Sequence, residues 1–72
     1  MVEDTKELKL SAIASNIKNV KADRYRAQVS LISEKALSSG YLEVIASLET
    51  EISSYSNQIT ALETQYALIE SE

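Results

Sequence analysis

From Tyr41 to Ile69 the large apolar residues fall in steps of four and three without a miss: Tyr41, Ile45, Leu48, Ile52, Tyr55, Ile59, Leu62, Tyr66 and Ile69. This is a heptad, with Ile45, Ile52, Ile59 and Tyr66 at a and Tyr41, Leu48, Tyr55, Leu62 and Ile69 at d. A stripe so regular requires a facing helix, because on a lone helix it would leave isoleucines in water. The sequence has no proline and a single glycine, Gly40. The expected fold class is therefore all-α.

The first half is less uniform. It opens with "DTKEL", in which Asp4 is placed to cap the first free amides while Glu7 reaches back, an Asp variant of the capping box. Leu10, Ile13, Ile17 and Val20 then keep the 3,4 spacing. Beyond Val20 the same frame falls on Arg24, Ala27, Leu31 and Glu34, while a second ridge forms at Ala22, Tyr25, Val29, Ile32 and Ala36. On a wheel of about 100° per residue the ridge lies a quarter-turn or more from the first stripe. Either the buried face shifts phase near Lys21, or the segment has two apolar faces.

Gly40 decides the architecture. The heptad frame before it runs straight into the frame after it, so one rod of about 100 Å is an alternative, and one glycine costs a helix only about 1 kcal/mol. Three features favour a turn. The seam loses its apolar content at Glu34 and Ser38. Ser38-Ser39-Gly40 supplies a left-handed helix stop followed by an apolar residue. Finally, seven basic and five acidic residues precede Gly40, a net of +2, while six acids and no base follow it, a net of −6. Folding back lays opposite charges together, where parallel rods would lay −6 beside −6. An antiparallel pair of rods would satisfy the charges equally well. The prediction is a two-helix antiparallel, coiled-coil-like hairpin with its turn at Ser38–Gly40 and helices over about 4–38 and 41–71 of a single domain. Pairing then matches residues whose numbers add to 79–81: Leu10 with Ile69, Ile13 with Tyr66, Ile17 with Leu62, Val20 with Ile59. With the phase-shifted ridge it continues as Tyr25 with Tyr55, Val29 with Ile52 and Ile32 with Leu48, leaving Leu31 over. Lys9 near Glu70 and Lys18 near Glu63 are expected rim ion pairs, each worth less than about 1 kcal/mol.

Little in the sequence points to chemistry. There is no His and no Cys, and neither a Gly-rich dinucleotide loop nor a phosphate-binding loop occurs. Carboxylates two apart, Glu49 with Glu51 and Glu70 with Glu72, point to different helix faces. No catalytic, metal or cofactor site is expected, and the chain reads as a non-enzyme. The basic run "KNVKADRYRA" scatters Lys18, Lys21, Arg24 and Arg26 around the helix, interrupted by Asp23. Pairing with the acidic second helix is favoured over a phosphate track. No apolar run approaches the roughly 18 residues of a membrane span, and Met1–Leu10 has no secretory pattern. A cytoplasmic protein is expected, with neither nucleic acid nor membrane as its favoured partner.

A chain of 72 residues buries only about 60% of its unfolded surface, so a lone hairpin is marginal and association is expected. The partner-binding candidates are Tyr25, Val29, Leu31 and Ile32, which one opposing stripe cannot cover. A second candidate surface is the small, uncharged outer face of the second helix: Thr50, Ser53, Asn57, Thr60, Ala61, Thr64 and Ala67. With its turn and second-helix start "SSGYLEVIASLE", the acidic, cysteine-free hairpin resembles the small co-chaperones of the type III secretion needle subunit (the YscE-like class). The resemblance covers the whole chain but is one of format, with no invariant motif. It implies binding to a helical-repeat chaperone, the two together keeping the secreted needle subunit soluble. Two alternatives are self-association into a Rop-like four-helix bundle that binds RNA, and a coiled-coil structural part of a phage or secretion assembly.

Overall fold

A computed structural model describes residues 5–37 and 41–72. Two helices make up the fold, α1 (Lys6–Ala36) and α2 (Leu42–Glu70), packed side by side in a body of 56 × 17 × 17 Å. Three contacts set their sense. Lys6 Nζ, at the start of α1, donates to the main-chain oxygen of Glu72 at 3.3 Å, beyond the end of α2. Arg24 Nη1 donates to Ser56 Oγ at 3.3 Å midway, and at the far end the Tyr41 amide donates to Glu34 Oε1 at 3.3 Å. The helices are antiparallel and the chain is a hairpin. The continuous rod is excluded, since Leu37 leaves the helix with an extended backbone (φ −76°, ψ 131°). The expected stop at Ser38-Ser39-Gly40 lies outside the described residues.

The termini differ from expectation by a residue or two. Thr5 is the N-cap of α1: its Oγ1 accepts the Leu8 amide at 3.1 Å. The cap is thus one residue later than the expected Asp4, which lies outside the described residues, and Leu8 rather than Glu7 stands three positions after it. The N-cap of α2, Tyr41, makes no side-chain cap of its own. Glu34, in the last turns of α1, instead accepts the amide of Tyr41 itself, and Glu43 adds a negative charge in the first turn of α2, where the helix dipole favours it.

The second-half heptad is the core stripe of α2. Ile59 and Ile69 are buried, and Ile45, Leu48, Ile52, Tyr55, Leu62 and Tyr66 are half-buried. Tyr41 is the exception, 72% exposed, because the regular part of α1 has ended before reaching it.

On α1 the structure corrects the expected pairing. Leu10, Ile13, Ile17 and Val20 lie on the seam, and the seam continues through Arg24, Ala27, Leu31 and Glu34, each buried or half-buried. Tyr25, Val29 and Ile32 do not face Tyr55, Ile52 and Leu48; they are 66%, 43% and 69% exposed. The reason is rigidity of phase. An unbroken 31-residue helix holds its stripes at fixed angles, and the ridge lies about 150° around the axis from the seam at about 100° per residue. No straight partner helix can cross that angle within a few residues. The weaker seam residues stay inside, and the ridge is left in solvent. Leu31, grouped with the ridge from sequence, belongs to the seam. The expected rim ion pairs are also absent: neither Lys9–Glu70 nor Lys18–Glu63 forms, and among the described residues the one ion pair is Asp23–Arg26, within α1.

Candidate functional site

The interior of the hairpin is thin. Among the described residues only Val20, Ala27, Ile59 and Ile69 are buried, and none of their side chains is fully enclosed. Where Arg24 enters the seam it is half-buried, and its guanidinium reaches Ser56. Beside Ile17 a shallow groove of about 330 Å³ opens between the helices, lined by Ala14, Ile17, Glu63 and Tyr66. Its one ionisable carboxylate, Glu63, has no acid–base partner there. Among the described residues no three His, Cys, Asp or Glu side chains gather in a way that could hold a metal ion. No described helix is long and apolar enough to cross a membrane.

The exterior offers three distinct surfaces. The back of α1 carries Tyr25, Val29 and Ile32 at i, i+4 and i+7, one continuous row. Ala22 and Ala36 continue it at either end, both exposed. Lys18, Lys21 and Lys35, also exposed, lie within about a quarter-turn of this row. Arg26 borders it too, but is held by Asp23. From Lys18 to Ala36 the only acids are Asp23 and Glu34, and both fall on the seam side of the helix.

The second surface is at the closed end, where Leu37, Tyr41, Leu42 and Val44 are 57%, 72%, 82% and 41% exposed. The sequence reading missed this cluster. The signal lay in its position: apolar residues beside a turn have no opposite helix to cover them, whatever their heptad letter.

The third surface is the back of α2. Thr50, Ser53, Asn57, Thr60, Ala61, Thr64 and Ala67 are all exposed, as expected of an outer face. The hydroxyls of Thr50, Thr60 and Thr64 donate to the carbonyls of Ala46, Ser56 and Thr60 at 3.0, 3.1 and 2.9 Å. Their hydroxyls are thus turned onto the helix's own carbonyls. The surface is less hydrophilic than its composition.

The sequence-predicted partner residues are thus divided. Tyr25, Val29 and Ile32 stand together on a solvent-facing ridge, and Leu31 is on the opposite side in the seam. The predicted seam residues of the second helix are gathered along one interface. Comparison with protein-family models, curated proteins and solved structures finds no match for this chain.

Proposed function

We propose that this hairpin is a non-enzymatic protein–protein interaction module that docks another helical protein against the back of α1, through Tyr25, Val29 and Ile32. The observation that carries this reading is an imbalance of burial. Four side chains are buried, one of them an alanine, while nine large apolar residues remain exposed among the described residues. A chain of this size needs more buried area than one helix pair supplies. The three exposed ridge residues form a single row of the kind helices use to recognise helices. The format of two long antiparallel helices, acidic overall, further supports a co-chaperone role. In that reading the hairpin stabilises a helical-repeat chaperone that holds a type III secretion needle subunit before export, in the cytoplasm.

The test compares the tagged chain with a variant carrying Val29→Asp and Ile32→Asp. A partner recovered from lysate of the source cells is identified, purified and mixed back. The expected result is a gain in helicity and melting temperature for the parent chain on mixing. The double variant, with its own hairpin circular dichroism retained, gains neither. A parent chain that is a stable compact monomer, indistinguishable from the variant in every mixture, would sink the proposal.

A further inference from the structure

We infer that the back of α1 receives an amphipathic helix of another protein whose apolar stripe is flanked by aspartates and glutamates. The inference rests on the docking role proposed above and adds the chemistry of the partner. The row Tyr25–Val29–Ile32 spans about 11 Å of helix axis, and the exposed alanines at its ends, Ala22 and Ala36, let a second backbone come close. Around this row the charge has one sign. Lys18 extends it at one end, and Lys21 and Lys35 lie along one side of it, without an intervening carboxylate. Glu7 shares the same side of the helix but lies about 27 Å from Tyr25 along the axis. A helix seated on the row would bring its own flanks against these lysines, so acidic flanks are attracted and basic ones repelled.

A second copy of this chain fits poorly. Joining two α1 backs sets lysines against lysines. The back of a second α2 matches no better. Its nearby carboxylates are Glu43 and Glu49, about 9 Å apart along the axis, whereas Lys18 and Lys35 are about 26 Å apart. Phosphate surfaces meet a chain of net charge −4 and make no use of an exposed valine and isoleucine.

The experiment uses the full chain and two synthetic helical peptides with the same leucine stripe, one flanked by Glu and one by Lys, with binding read by fluorescence anisotropy. The Glu-flanked peptide is expected to bind about tenfold more tightly, a difference of about 1.4 kcal/mol. Added salt should shrink that advantage. The triple variant Lys18→Glu, Lys21→Glu, Lys35→Glu should reverse the preference, and Ile32→Asp should weaken both peptides. Equal affinity for the two peptides, with Ile32→Asp still weakening both, would overturn the acidic partner while leaving the docking ridge intact. Failure of both peptides to bind would overturn both readings. A dimer seen by light scattering and broken by Ile32→Asp would name a second copy as the occupant and overturn the inference. Capture by phosphatidylserine vesicles in preference to the Glu-flanked peptide would do the same.

Discussion

Ile59 and Ile32 are the same residue in the interiors of two helices, one 4% and the other 69% exposed. Replacing each with alanine removes the same atoms and makes the same small gain in helix propensity, so the difference between the two isolates burial. At Ile59 the loss of three buried carbons costs about 2.4 kcal/mol at roughly 0.8 kcal/mol each, near the lower end of the usual range of about 2–5 kcal/mol, as expected where the gap can close. For a chain of 72 residues each kcal/mol moves the melting temperature by about 4–8 °C. Ile59→Ala should therefore lower it by about 10–20 °C. Ile32→Ala should cost less than about 0.5 kcal/mol and shift the melt by no more than about 4 °C. Far-UV circular dichroism melts at two protein concentrations, the second separating folding from association, provide the measurement. Ile59→Val, at about 0.5–1.5 kcal/mol, serves if the alanine variant shows no folded baseline. Equal shifts for the two alanine variants at both concentrations would refute the seam described above, because they would place Ile32 against α2.

Three further outcomes follow from single contacts. Arg24→Leu exchanges a polar seam residue for an apolar one of the frame's own type and should leave the melting temperature unchanged or higher; a fall of more than about 8 °C, the equivalent of about 1 kcal/mol, would show that the bond to Ser56 outweighs the gain in burial. Thr5→Ala should cost about 1 kcal/mol as a lost N-cap, with amide exchange sped more at Leu8 and Lys9 than around Ile59, where only the loss of global stability is felt; a larger acceleration around Ile59 than at Leu8 would contradict a local cap. Glu34→Ala should remove the acceptor for the Tyr41 amide and speed exchange there by up to about tenfold, the equivalent of about 1.4 kcal/mol, whereas Glu34→Gln, which keeps a side-chain oxygen, should speed it less.

The second helix was legible residue by residue because one periodicity specifies both its shape and its buried side. From Ile45 to Ile69 every heptad position is where the spacing puts it. The antiparallel pairing was also legible, from the charge asymmetry and the failing seam near Glu34. What could not be read was which stripe of the first helix turns inward after Val20. By composition, Tyr25, Val29 and Ile32 outweigh Arg24, Ala27 and Glu34, and an apolar count chooses the former. The continuity of a helix overrules the count, since its phase at Val20 is inherited four and seven residues later. Residues with a polar end then adapt to the place they are given: Arg24 by extending to Ser56, Glu34 by accepting the Tyr41 amide. Cap identity was missed by one position because Asp4 and Thr5 are both competent, and only backbone geometry chooses between them.

The half-turn that separates the ridge of α1 from its seam has an evolutionary consequence. Substitutions at Tyr25, Val29 or Ile32 leave the inter-helix packing untouched, so sequence drift there is not filtered by whether the chain folds. Substitutions at Ala27 or Ile59 are filtered in the opposite way. One scaffold of this kind can change its exposed face in small steps and remain the same hairpin throughout.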